Sequence, residues 1–447
     1  MTPVELDSGN TAWILTSAAL VLLMTPGLAL FYGGQARSKN VLNMMMMVFG
    51  TLASVGVLWV LFGYSVAFGT DIGGGLLGNP GEYFGLSSML TAEAQTDGLP
   101  DLAFMAFQAM FAILTTGLIA GAAADRMKFN TWMVFTMLWA TLVYFPVAHW
   151  VFDLDNGWIA SGLGALDFAG GTAVHINAGV AALVLCLFLG KRRGWPREAM
   201  RPHNLTMVML GAGLLWFGWF GFNAGSAGSA GWESSYAFAN TLAATAAAII
   251  GWLVVEQIRD GKPTSLGAAS GIVAGLVAIT PACASVSPIG ALIIGALAGV
   301  LCAYAVGLKY KLGFDDSFDV VGVHLVGGLV GTLMIGLFAT EVAPDETNGL
   351  FYGGGFSQLG IQALAALAVI VYCAVITAII VGVLKATMGL RIDDDSEAAG
   401  IDEGEHAESG YDFSSLRSGS GGLGASKSTM SAPTQVTATA GKEGATR

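Results

Sequence analysis

Charged side chains make up only 11% of this 447-residue chain, whereas soluble domains carry about 25%. That shortage excludes an ordinary water-soluble domain. The basic residues form no continuous face, which excludes a nucleic-acid partner. Cysteine is rare, and Cys186, Cys283, Cys302 and Cys373 lie scattered without metal-site spacing. They read as small packing residues, and neither a metal nor a cofactor is expected. The opening MTPVELDSGN has no positive n-region, and the apolar run after it is long enough to span a bilayer, so no cleavable signal is expected.

What is present is apolar. Hydrophobic residues account for 54% of the chain, in stretches of the roughly 20 residues that cross a bilayer. The pattern predicts an all-α integral membrane protein with eleven spans: 12–33, 41–68, 101–124, 130–151, 168–190, 204–227, 237–258, 265–282, 289–308, 319–340 and 357–388. Spans seven to nine carry the weakest signal, diluted by Ala and Gly. Arg37 and Lys39, Arg126 and Lys128, the group from Lys191 to Arg201, Arg259 and Lys262, Lys309 and Lys311, and Lys385 and Arg391 occupy every second connection. By the positive-inside rule the N-terminus lies outside and the C-terminus inside, so the span count is odd.

The net charge of −12 arises from acids in the outer loops and the tail. Residues 1–390 read as the membrane domain and 391–416 as an acidic cytoplasmic tail. Residues 417–447 form a Gly/Ser/Thr/Ala-rich segment that cannot bury a core and is expected to be disordered.

Only five histidines occur, and two lie inside spans. His175 sits in DFAGGTAVHINAGVAALVLCLFLG (167–190) and His324 in DVVGVHLVGGLVGTLMIGLF (319–338). An ionisable group at that depth marks a functional site by default. Each follows an aspartate, Asp167 or Asp319, and five spans separate the two. An odd offset inverts one half against the other, which predicts inverted five-helix repeats plus a final helix, with a site at their interface. Two facing neutral imidazoles leave one donor and one acceptor for a small polar solute. The alternative is two unrelated, satisfied core histidines.

The aromatic run LLWFGWFGFNAGSAGS (214–229) ends the sixth span with Trp219, Phe222 and Ser226. Its faces suit a cation, and Ser226 can accept from that cation; an interfacial aromatic belt accounts for the run equally simply. Asp167 either attracts a cation or caps the helix carrying His175. Phe107, Gln108 and Phe111 on the third span read alone as packing.

Taken together, DFAGGTAVHINAG, FGWFGFNAGSAGS and FDVVGVHLVGGLVG, with TPGLALFYGGQARSKN (25–40), GYSVAFG, GAAADRM and FPVAHW, resemble the ammonium transporter family (Amt/Mep/Rh), over about residues 10–413. The resemblance implies that His175 and His324 are twin pore histidines and that Asp167 supports an outer recruitment site. It further implies that Trp219, Ser226 and Phe111 belong to that cation site, and that Phe111 and Phe222 form a stacked gate flanked by Phe107 and Gln108. Where many members carry a second tryptophan, AHWVF places Phe152, leaving Trp150 or Trp158 as substitutes.

The implied protein is a non-enzymatic homotrimer in the plasma membrane. It would take up ammonium, contact membrane lipids and engage a PII-type regulator through its tail. Two other readings stay open: an ammonium sensor with little flux, and a general gas or water pore, which the cation-suited vestibule disfavours.

Overall fold

The computed structural model describes residues 6–90 and 98–412. Among the described residues, ten helices are long and apolar enough to cross a membrane: α1 (Ser8–Gln35), α2 (Val41–Phe68), α3 (Asp101–Ala123), α4 (Phe129–Phe152), α5 (Gly171–Leu189), α6 (Leu205–Gly225), α7 (Trp232–Arg259), α9 (Pro288–Leu312), α10 (Val321–Phe338) and α11 (Ser357–Thr387). Between them α8 (Ser265–Ile279) has only 15 residues, about 22 Å of helix. The expected span 265–282 is thus shortened, because Thr280 to Ser285 fold into hydrogen-bonded turns. No β-strand is present among the described residues.

The helix starts follow from local chemistry. Asp7 accepts from Asn10 N, Asn204 from Met207 N, and Thr264 from Gly267 N, each filling an orphan amide of the first turn. Ser287 does the same for α9, with Pro288 where no amide partner is needed. Apolar side chains surround these helices, so close approach rests on small residues. A Cβ on Gly218 would strike the α1 backbone at Leu20 O at 2.5 Å and the side chain of Met24; α1 and α6 pack along much of their length on such positions.

The loops bearing Lys and Arg gather on one face, where carboxylates meet them. Arg192 binds Asp315 through Nη2 at 2.9 Å and Nε at 3.0 Å, and Arg37 lies 3.3 Å from Asp125. Residues through Gly410 form one compact unit. Within it, two short helices, α12 (Asp394–Ala399) and α13 (Ile401–His406), pack under that basic face. Glu397 accepts from Arg193 N at 2.7 Å and pairs with Arg391, while Asp402 accepts from Leu42 N and Asn43 N at 3.1 and 2.8 Å. The tail carboxylates therefore answer basic loops and a helix start of their own chain. The expected disordered segment 417–447 lies outside the described residues.

Candidate functional site

His175 and His324 meet in the middle of the bundle. Their Nδ1 atoms are 3.3 Å apart, and the rings are tilted by 30° with centroids 5.4 Å apart. Both are buried. A hydrogen bond between two Nδ1 atoms needs one donor and one acceptor, so the rings adopt opposite roles and leave both Nε2 atoms for a solute. His175 Nε2 is buried with no partner among the described residues.

Three features repeat in the two halves. Each histidine lies on a wide helical turn closed by i→i+5 bonds, Gly171–Ile176 or Val321–Leu325; such turns recur at functional positions. Each is followed four residues later by a glycine on the same face. A Cβ at Gly179 would stand 2.5 Å from Leu325 N, and one at Gly328 only 3.2 Å from His175 Cβ. Each helix start is also held by a carboxylate that lies eight residues before the histidine. Asp167 accepts from Gly170 N (2.9 Å), Gly171 N (2.5 Å), Thr172 N (2.7 Å) and Thr172 Oγ1. Asp316 accepts from Val320 N (3.1 Å) and Val321 N (2.7 Å).

This corrects one sequence pairing. Asp319 is not the counterpart of Asp167: its backbone φ is +64° and its carboxylate pairs with Lys309 at 2.6 Å. The equal spacing of eight, Asp167 to His175 and Asp316 to His324, was the sequence signal that identifies Asp316.

On the face away from the basic loops a vestibule of about 340 Å³ opens, lined by Gln108, Phe152, Asp167, Ser226, Glu233 and Asp345 among others. Ser226 Oγ donates to Phe222 O at 2.8 Å, so its lone pairs remain to accept from a solute. Gln108 Oε1 is a second acceptor, buried without a partner among the described residues. Phe152 lines this space and meets Phe111 edge-on, with centroids 6.3 Å apart. Trp150 does not substitute for a second tryptophan: its Nε1 donates to Leu76 O, and its ring packs on Tyr372 and Trp158.

Below the vestibule Phe111 and Phe222 stack, with centroids 4.1 Å apart and planes 26° apart, and both are fully buried. Phe107 packs against Phe111 at 4.8 Å. Phe222 lies 6.1 Å from the His175 ring.

Trp219 departs from the expected grouping. It stacks on His175 with centroids 5.4 Å apart, and its Nε1 donates to Thr280 Oγ1 at 2.8 Å. It shares a helix face with Ser226, but seven residues is about 10 Å of rise, which takes it from the vestibule to the histidine level.

Beyond His324 a cavity of about 10 Å³, lined by Phe31, Tyr32, Phe318 and Asp319, faces the basic loops. It holds at most about one water-sized molecule. The arrangement is an apolar path from an acceptor-lined cup, through an aromatic stack, to paired imidazoles. Among the described residues no cluster of His, Cys, Asp or Glu could hold a metal ion.

The chain is similar in sequence and fold to known proteins. The Ammonium Transporter Family model matches residues 12–411. An ammonium transporter of Mycobacterium tuberculosis is 60% identical over 434 residues, covering 91% of each chain. The crystal structure of Saccharomyces cerevisiae Mep2 superposes with a TM-score of 0.81 at 36% identity, over 88% of this chain and 89% of that one. A structure described as a sensor Amt protein gives 0.82 at 28% identity, over 89% and 98%.

Proposed function

The chain belongs to the ammonium transporter family, a multi-pass membrane family that moves ammonium, and on that premise we propose a route for the solute. Ammonium docks in the vestibule against the faces of Phe152 and Phe111 and donates to Ser226 Oγ and Gln108 Oε1. Potassium has no N–H to donate, so these acceptors discriminate between the two ions. Glu233 and Asp345 at the rim raise the local cation concentration.

Passage beyond the Phe111–Phe222 stack favours the neutral form, because the walls there are apolar. By analogy with an amine about three pK units above neutrality, giving up the proton to water in the vestibule costs about 4 kcal/mol. Ammonia then exchanges hydrogen bonds with the Nε2 atoms of His175 and His324 while Trp219 walls the lumen. Asp167 is a positioning residue: its carboxylate is occupied by the amides that start α5, so it shapes the field and holds His175 in place.

The observation that carries this reading is the unbroken sequence of the acceptor-lined vestibule, the aromatic stack and the Nδ1–Nδ1 histidine pair. The basic loops support an inside location for the face bearing α12 and α13, and a plasma-membrane homotrimer is the assembly that the family resemblance implies. The tail helices, packed on loops at the exit, are suited to docking a PII-type regulator. The sensor reading draws support from the likeness to a sensor Amt protein. One measurement separates them: ammonium-dependent current or methylammonium uptake in proteoliposomes. Robust flux supports transport; ligand binding without flux sinks it in favour of sensing.

A further inference from the structure

The FPVAHW segment puts a third histidine on α4, one turn before the helix ends. His149 is fully buried. Its Nδ1 stands 2.9 Å from Ala67 O and 3.5 Å from Asp153 Oδ2, and its Nε2 stands 3.3 Å from Asp71 Oδ1. Each of these partners is an acceptor: a backbone carbonyl and two carboxylates. Asp71 Oδ1 already accepts from Gly73 N and Gly75 N, so it carries no proton to offer the ring. Desolvation pushes that carboxyl up, but the amides of Gly75 and Gly73, His149 and the amide of Gly74 together hold it below the usual carboxylate range. A neutral imidazole has one N–H and one lone pair. Either tautomer would therefore aim a lone pair at an oxygen, whereas an imidazolium donates on both sides.

Loops 69–100 and 152–166 contain no Lys or Arg. Among the described residues, His149 is the only ion-pair partner of either Asp71 or Asp153. What the ring ties together is the vestibule wall. Asp71 opens a loop that Trp150 and Trp158 also grip: Trp150 Nε1 donates to Leu76 O at 2.8 Å and Trp158 N to Gly75 O at 3.3 Å. Asp153 closes α4, its amide donating to His149 O and its carboxylate accepting from Asp155 N and Asn156 N. Between His149 and Asp153 stands Phe152. Its ring meets Phe111 and lies only 3.2 Å from where a Cβ on Gly170 would stand.

We infer that His149 is held as an imidazolium, and that this charged clasp between Asp71 and Asp153 fixes the last turn of α4 so that Phe152 faces the docked cation. His149 does not line the vestibule, so it is a positioning residue. Without its second proton, one ring nitrogen would repel the oxygen it faces, and the loop and the helix end would loosen together. The consequence for affinity rests on the docking role proposed above for Phe152; the charge of the ring does not.

The test has two arms. In the first, the full-length protein with isotope-labelled histidine nitrogens, in lipid bilayers near neutral pH, is compared with His149→Gln by solid-state nitrogen NMR. The signal missing from the variant should be that of an imidazolium, with both ring nitrogens protonated. A missing neutral-imidazole signal overturns the assignment. In the second, methylammonium uptake is measured in proteoliposomes. His149→Gln and, from the loop side, Asp71→Ala should each raise the half-saturating concentration about threefold, part of the roughly 2- to 30-fold ascribed to the whole Phe152 ring, with maximal uptake unchanged. The double variant should shift it no further than either single one, and neither change should matter once Phe152→Ala is present. Unchanged half-saturation in both single variants, with Phe152→Ala raising it, overturns the positioning role. So does a fall in maximal uptake alone. An inert Phe152→Ala removes the docking reading together with the affinity effect, while the spectrum still decides the charge of His149.

Discussion

Gly328 lies directly behind His175: a Cβ there would stand 3.2 Å from the histidine's own Cβ. Its counterpart Gly179 meets Leu325, next to His324, in the same way. Contact between the two imidazoles thus depends on two absent methyl groups. Gly179→Ala and Gly328→Ala should each push α5 and α10 apart. Overpacking of this kind costs about 1–3 kcal/mol, so melting temperature should fall and methylammonium uptake should drop by at least about tenfold. Wild-type uptake with wild-type stability in both would show that the helices can separate without consequence.

The histidines set what passes. His175→Asp or His324→Glu places an anion in the lumen, which should admit potassium or abolish uptake. Ion-substitution currents on a supported membrane distinguish these from the wild type. Unchanged methylammonium uptake in both single alanine variants would remove the pore assignment.

Phe152 offers the vestibule a phenyl face where an indole fits the same role better. Cation–aromatic attraction at such sites is about 0.5–2 kcal/mol, so Phe152→Ala should raise the half-saturating ammonium concentration by roughly 2- to 30-fold. Phe152→Trp should restore or lower it. Trp219→Phe, by contrast, should alter flux more than half-saturation, since that ring faces His175 rather than the vestibule.

Much of this site was legible in the sequence. Two histidines in apolar spans and an aspartate before His175 stood out, because polar groups in membrane segments are few, whereas Phe111 and Phe222 read as packing or an aromatic belt and only the family resemblance marked them as a gate. Depth was not legible for Trp219, since residues seven apart share a helix face and differ only in rise. The carboxylate that holds the start of α10 was harder to pick: Asp315, Asp316 and Asp319 crowd one loop, and only the spacing of eight to His324, matching Asp167 to His175, singles out Asp316. The expected span 265–282 ran past the end of α8 because Thr280, Pro281 and Ala282 continue an apolar run without a charge. Glu397 and Asp402 read as a generic acidic tail, because their partners, a backbone amide at Arg193 and the start of α2, are hundreds of residues away.

Asp316 carries a pH signature. Burial first, then Asp319, pushes its carboxyl up from 3.8 to about 6, against the pull of Lys309 and two backbone amides. A group with a raised native pKa takes up its proton in the folded state first. Its contribution to stability is therefore complete below about 4 and is lost as pH rises through about 6. Melting temperature of the wild type, measured against Asp316→Asn from pH 4 to 7.5, should show that decline only in the wild type. Parallel curves would contradict it.

The tail helices should act through the anchors they make. Asp402 accepts from two amides that open α2, a cap whose loss costs about 1 kcal/mol, and Glu397 ties Arg391 to the Arg193 loop. Those loops also carry the ion pairs of Asp125 and Asp315 around the exit. Truncation after Leu390 removes both anchors and should impair conduction or its control. Truncation after Arg417 keeps both and should leave uptake unchanged. Asp402→Ala tests the anchor alone and should shift uptake in the same direction as the longer truncation, by less. Identical uptake for the full chain and the Leu390 truncation, with and without a PII-type partner, would leave the segment without a regulatory role.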